Sequence, residues 1–251
     1  MHHVTLTHSA SSRTCLWFML ISRSLGALVL ILSHGICLAQ QEIAPAKKEE
    51  GVMIRILCVQ SVSSKEEEST LATKKDDGTW TELSTITLRS PFISEWIRLP
   101  VGTIHLTNKE EEPARSLGSF VIPEKPKRLI VVLLPDTKKN GYQTQVIDPE
   151  NLGFRKGQAL IINYGKVRAM VRIGERTVTV NPGQQAVEKI DANQDGMYRL
   201  LVGYLDENQK IVPCYDRFVS SNANTRKFIL LFPDQQTGLR SMSLSEFGPF
   251  E

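Results

Sequence analysis

The chain has 251 residues, a formal net charge of +3, 41% hydrophobic residues and 7% aromatic residues. That length allows two domains of ordinary size. The near-balance of charge supplies no global field to gather nucleic acid or an anionic membrane, so neither is expected as a partner.

The first 39 residues read as a signal peptide. Arg23 gives a short basic region, Leu25 to Leu32 an apolar core, and Cys37 with Ala39 the small-x-small spacing cleaved by signal peptidase. The apolar run falls short of the roughly 20 residues of a spanning helix. Cleavage after Ala39 then leaves no membrane span and delivers an exported chain; an uncleaved anchor is the alternative. Met19 suits such a leader better as a start than Met1, and the choice between them stays open. Ile36 ahead of Cys37 argues against a lipid anchor.

Cleavage also removes chemistry. His2, His3, His8 and His34 leave with the leader, so His105 is the one histidine of the mature chain. Loss of Arg13 and Arg23 leaves 28 basic against 27 acidic residues, a net +1. Cys58 and Cys214 remain. An oxidising compartment permits one disulfide between them, whereas their apolar surroundings (IRILCV, IVPCYD) equally suit buried free thiols. A short linker, 40–50, follows the leader. The mixed-charge blocks at 47–50, 65–68, 74–77 and 109–112 are expected to be solvated loop or linker.

From residue 51 onward the pattern is that of short strands. Candidates are 52–60, 80–88, 95–99, 103–107, 119–122, 128–134 and 142–147, then 159–164, 167–173, 176–180, 185–190, 197–205, 210–215 and 226–232. Many alternate apolar with polar, as Val178 and Val180 do with Thr177 and Thr179, the period of a half-buried strand. Two runs match each other: RLIVVLLPD (128–136) and RKFILLFPD (226–234), each followed by a polar stretch and a glycine, Gly141 or Gly238. Each reads as a strand buried on both faces, with the proline marking its exit and Pro-Asp opening a turn. A true repeat and a chance likeness both remain open. The spacing is close to that of an immunoglobulin-like sandwich, roughly 100 residues. The expected fold is therefore all-β: two tandem immunoglobulin-like β-sandwich domains, 51–150 and 151–251, with the boundary near 147–154.

DANQDG (191–196) places Asp191, Asn193 and Asp195 at alternate positions before Gly196, as a calcium loop of the EF-hand type begins. Such a loop needs a bidentate carboxylate at its twelfth position, which here is Val202. A hairpin between the strands at 185–190 and 197–205 is the expected structure. Asp191, Asn193 and Asp195 stay as an alternative, low-affinity calcium set. LDENQKI (205–211) is a second hairpin signal, and VNPGQQ (180–185) a type II turn. GFRKGQ (153–158) sets Arg155 and Lys156 between two glycines; it could hold a phosphate or a carboxylate, and the plainer reading is the entry loop of the second domain.

No catalytic residues or cofactor are expected. A nucleophilic triad would have to use His105, which lies in the apolar strand TIHLT and reads as structural. One histidine and two distant cysteines do not make a zinc site. Trp80, Trp96, Tyr142, Tyr164, Tyr198, Tyr204 and Tyr215 are scattered over both halves, which favours core and strand positions over a sugar-stacking platform.

The run from Gly153 to Ile190 resembles a set of uncharacterised exported proteins of Verrucomicrobia and Planctomycetes, through Phe154, Arg155, Asn163, Val171, Gly174, Pro182 and Gly183. The resemblance covers mainly the second half. It implies export and a β-sandwich, and no activity or catalytic residue. The reading from sequence is an exported, non-catalytic β-sandwich protein acting through surface contacts, in an envelope assembly, on an envelope or extracellular protein or a glycan. A carbohydrate-binding module and a carboxylate-dependent hydrolase at the domain junction are the alternatives.

Overall fold

The structure is a computed structural model that describes residues 51–62, 67–108, 114–136, 138–206, 208, 210–248 and 250. The expected signal peptide, 1–39, and the linker, 40–50, lie outside the described residues. No helix among the described residues is long and apolar enough to cross a membrane.

The regular elements among the described residues are all strands. In the first half they are β1 (Val52–Cys58), β2 (Glu67–Lys74), β3 (Trp80–Leu88), β4 (Phe92–Ile93), β5 (Ile97–Leu99), β6 (Gly102–Asn108), β7 (Ser116–Ile122), β8 (Arg128–Asp136) and β9 (Gly141–Ile147). In the second they are β10 (Gln158–Asn163), β11 (Ala169–Ile173), β12 (Arg176–Val180), β13 (Gln185–Lys189), β14 (Met197–Leu205), β15 (Ile211–Ser220), β16 (Thr225–Asp234) and β17 (Gly238–Phe247). The all-β architecture of tandem sandwiches is as the alternation led us to expect.

Each half is a pair of sheets. The first pairs β4-β1-β8-β9, with β5 also on β1, against β3-β2-β6-β7; the second pairs β13-β10-β16-β17 against β12-β11-β14-β15. The two orders coincide when β10, β11, β12 and β13 stand for β1, β2, β3 and the β4–β5 pair, and β14 to β17 for β6 to β9. Both halves also share an unusual feature, a parallel pair at the centre: β1 with β8, and β10 with β16. The two matching runs in the sequence are β8 and β16, in the same place in each half. The repeat therefore extends to the whole topology.

The prolines of these runs lie inside the strands, not beyond them. Pro135 stands opposite Tyr142 and Pro233 opposite Leu239, in the hairpins β8–β9 and β16–β17. Each is tolerated because the inner neighbour has already ended: β1 pairs with β8 only as far as Leu133, and β10 with β16 only as far as Leu231. A missing N–H therefore breaks no ladder on that side.

Three apolar cores result. Ile54, Ile56, Leu129, Val131 and Leu133 point into the first sandwich, with Leu71, Ile104 and Leu106 opposite. Ala159, Ile161, Ile229 and Leu231 point into the second, with Val171, Leu200 and Val202 opposite. The alternate residues of the same strands form the third core, between the sandwiches: Leu57, Val59, Ile130, Val132 and Ile147 meet Phe154, Leu160, Ile162, Phe228 and Leu230. The sheets of β1 and β10 thus lie face to face, and their central strands are covered on both sides. Tyr164 reinforces this contact, stacking on Phe232 and donating its hydroxyl to Gln145 Oε1 of β9.

Two connections differ from expectation. β13 pairs with β10 and β14 with β11, so DANQDG carries the chain from one sheet to the other and does not close a hairpin. VNPGQQ makes the same kind of crossing between β12 and β13. Its turn is as expected: Gln184 N–H bonds to Asn181 O at 3.0 Å, with Gly183 at φ 74°. LDENQKI does join a hairpin, β14–β15. Strands β2, β4 and β17 were not legible. β2 begins within the charged block at 65–68, and β17 (GLRSMSLSEF) carries serines where a strand signal needs β-branched residues.

The third core makes a direct prediction. Phe228 is 1% exposed and packs edge-on against Phe154, ring centroids 5.3 Å apart. Phe228→Ala should cost about 3–5 kcal/mol. Urea denaturation of the protein should show it as a lower midpoint of one transition shared by both halves, not as the loss of a separate domain.

Candidate functional site

The face that joins the sandwiches changes character at one end. Along β1 the residues facing the other sandwich are Val59, Leu57 and then Arg55. Along β8 they are Val132, Ile130 and then Arg128. Along β16 they are Leu230, Phe228 and then Arg226, and along β17 Met242, Leu244 and then Glu246. The apolar core therefore ends in three arginines and one glutamate.

Glu246 holds this end together. Its side chain is fully buried, and it joins the halves through an ion triad. Arg55 Nη1 of the first sandwich donates to Oε1 at 2.9 Å, while Arg226 Nε and Nη2 of the second donate to Oε2 at 2.8 and 2.7 Å. Arg55 Nη1 also reaches Phe247 O at 3.1 Å, and Arg226 Nη1 reaches Phe154 O at 3.3 Å. Aromatic rings complete the packing. The Arg55 guanidinium lies 4.5 Å from the Trp96 ring centre and Arg128 5.6 Å from it, while Arg226 lies 5.0 Å from Phe154 and 4.5 Å from Phe250.

Positive charge remains in excess here. Burial pushes the Arg226 pKa down, Glu246 pulls it up, and Arg55 and Arg128 push it down again. Arg55 Nε, Arg128 Nη1 and Trp96 Nε1 are buried donors without a hydrogen-bond partner.

Two clefts flank the triad and share Gly248. The larger, about 830 Å³, is lined by Phe154, Arg155, Lys156, Arg226 and Phe250 among others; the smaller, about 180 Å³, includes Arg55, Ser94, Glu95, Glu246 and Phe247. The larger cleft opens on the segment that links the sandwiches. Asp148 Oδ1 accepts from the N–H groups of Glu150 and Asn151, and Phe154 N–H bonds to Pro149 O. GFRKGQ thus forms both the entry to the second sandwich and a wall of the cleft.

The residues named from sequence are dispersed. Asp191 pairs with Arg176 and Lys189, each at 2.9 Å, and these hydrogen bonds hold its carboxyl below the usual range. Asn193 Oδ1 accepts from the N–H groups of Asp195 and Met197. The motif is thus a braced turn, and among the described residues no group of three or more His, Cys, Asp or Glu side chains could hold a metal ion. His105 lies on β6, its ring edge-on to Trp80 at 5.0 Å and Nδ1 3.4 Å from Ser116 Oγ; burial, with Lys74 nearby, lowers its pKa. Cys58 belongs to the first core and Cys214 to the second, and both thiols are free.

The aromatic side chains are engaged individually. Trp80 meets His105, Trp96 meets two arginines, and Tyr164 meets Phe232. Glu95 and Glu246 share the smaller cleft, but both oxygens of Glu246 already accept from guanidinium groups, so it is fixed as an ion-pair partner. Sequence reading missed Arg55, Arg128, Arg226 and Glu246 as a group. Arg128 and Arg226 were visible as the charged heads of the two repeated runs, but nothing in the sequence told that they face a partner sheet and not water.

The sequence matches no protein-family model, and the comparison with curated proteins finds no match.

Two predictions follow from these environments. Glu246→Gln leaves two buried guanidinium groups without their counter-charge. It should destabilise the protein by about 3–5 kcal/mol, read as a fall in the denaturation midpoint. Burial pushes the Cys58 thiol up to about 11 and also raises that of the half-buried Cys214. Because the thiolate is the reactive form, iodoacetamide at pH 8 should label Cys214 at least about tenfold faster. Cys58 should react fully only in urea, as peptide mass spectrometry can follow.

Proposed function

We propose that this is an exported bacterial protein, periplasmic or secreted, that works by binding and not by catalysis, with the sandwich junction as its recognition surface. The observation that carries the reading is the use of charge at that junction. Glu246 and two arginines serve to lock the halves and to frame two clefts, while Arg155, Lys156 and the 64% exposed Phe247 stand at the surface available for contact. A polar rim around a partly apolar, preformed depression is the anatomy of a recognition site. The resemblance of the second half to exported proteins of Verrucomicrobia and Planctomycetes supports the same compartment.

The edge strand β15 offers a second contact surface. It pairs only with β14 among the described strands and exposes Ile211 and Phe218, 50% and 69% accessible. The bulge opposite Val202 and Gly203, with Pro213 beside it, limits continuous strand addition there. Side-chain contact therefore suits this edge better than β-augmentation. The hydrolase alternative is weakened because Glu246 is held by Arg55 and Arg226. The carbohydrate alternative is weakened because Trp80, Trp96 and Tyr164 each pack on a different neighbour.

A photo-crosslinking amino acid at Phe247, in cells that make the protein, should give a discrete adduct. The same group at Val121, 60% exposed on β7, should not. Identical adducts at both sites, or none at Phe247, would remove the junction as the recognition surface.

A further inference from the structure

The geometry points to an oxyanion site: we infer that the larger cleft takes a carboxylate or phosphate group carried on an aromatic or apolar body. This rests on the binding reading above and gives it a ligand chemistry. Among the described residues three cations, Arg155, Lys156 and Arg226, line the cleft against one acid, Glu150. Arg226 is spoken for, with a side chain 5% exposed and held by Glu246. Arg155 and Lys156 are exposed, and no described carboxylate pairs with either. They are the groups able to receive an anion. Arg55 and Arg128 act on Arg226 as like charges, so that the cluster around it holds one described carboxylate to three guanidinium groups.

The loop that carries Arg155 and Lys156 is held at both ends. Gly153 and Gly157, at φ 64° and 74°, set its path in a backbone region that other residues rarely adopt. Gly157 N–H bonds to Thr225 O at 2.8 Å, Ile190 N–H to Gly157 O at 2.9 Å, and Arg155 N–H to Gln158 Oε1 at 2.6 Å. The pinned backbone spares the loop its own ordering cost, so binding has to order only the exposed Arg155 and Lys156 side chains. Phe154 and Phe250, on either side of the Arg226 guanidinium group in sequence and both within 5.0 Å of it, supply apolar wall. A volume of about 830 Å³ accommodates the body of a ligand as well as its charged group.

The same chemistry could arrive as a free small molecule or as an acidic residue beside an aromatic one in a partner polypeptide. The test is titration of the full mature chain, followed by NMR shifts, with phenyl phosphate, with a blocked Asp-Phe-Asp tripeptide and with phenol. Phenyl phosphate and the tripeptide should saturate and weaken with added salt, and phenol should not bind. Whichever anion binds tenfold tighter identifies the source the cleft serves. Arg155→Glu with Lys156→Glu should weaken both anions at least about tenfold while the melting temperature stays close to the parent's, since both side chains are exposed. Glu150→Gln, which removes the opposing charge, should tighten them about two- to threefold. Phenol binding as well as phenyl phosphate, or unchanged affinity in the double variant, would overturn the site and leave the broader binding reading standing. Release of phenol from bound phenyl phosphate would do the reverse, ending the non-catalytic reading while the anion site stood.

Discussion

Four of the described strands are apolar on both faces over most of their length, and the architecture follows from that constraint. β1, β8, β10 and β16 alternate between two apolar sets, one turned into its own sandwich and the other outward. A sandwich standing alone would leave the outward set in water. Packing the two sandwiches through these sheets removes both sets at once and makes four layers of what would otherwise be two independent pairs. The contact is of the same kind as the interior of either half: branched and aromatic side chains of two sheets set face to face. That is why residues 51–250 are better described as one body with an internal duplication than as two modules on a tether.

The duplication is close in topology and loose in detail, and the differences lie where contact with the outside is available. In the first half β7 and β9 approach so closely that side chains at their crossing are excluded: a Cβ on Gly118 would meet Tyr142 O at 2.8 Å, and one on Gly141 would meet the backbone oxygen of Leu117. That seam is shut. In the second half the corresponding strands, β15 and β17, are longer, and β15 exposes Phe218 while Cys214 donates to Thr237 O at 3.4 Å across the seam. One half closes its edge with backbone, and the other keeps side chains there.

The ionic end of the junction serves a different purpose from the apolar remainder. Burying a carboxylate with guanidinium groups brings little net stability compared with well-packed apolar side chains. It does tie the two sandwiches at one point: Glu246, already opposite Arg226 in the β16–β17 hairpin, meets Arg55 of β1 across the junction. It also keeps the junction from closing into a continuous apolar seam, and the two clefts lie where it fails to close. The charge excess that the frame leaves over is available to whatever enters the larger cleft.

By itself the sequence determined the class of structure, while whether the two Arg-to-Pro-Asp runs were a repeat was settled only by the sheet topology. Alternation marked the strands, and continuous apolar residues in those runs called for burial on both faces. These are local signals, set by the two-residue period of a strand and by the conformational limits of proline and glycine. Tertiary structure alone decided what covers the outward faces, which turns are hairpins and which are crossings between sheets, and that Arg55, Arg128, Arg226 and Glu246 meet. Those residues are separated by as many as 191 positions. A charged side chain at the end of an apolar strand reads the same in sequence whether it faces water or a partner sheet. Only the stacking of one sandwich on the other distinguishes the two, and with it makes a site.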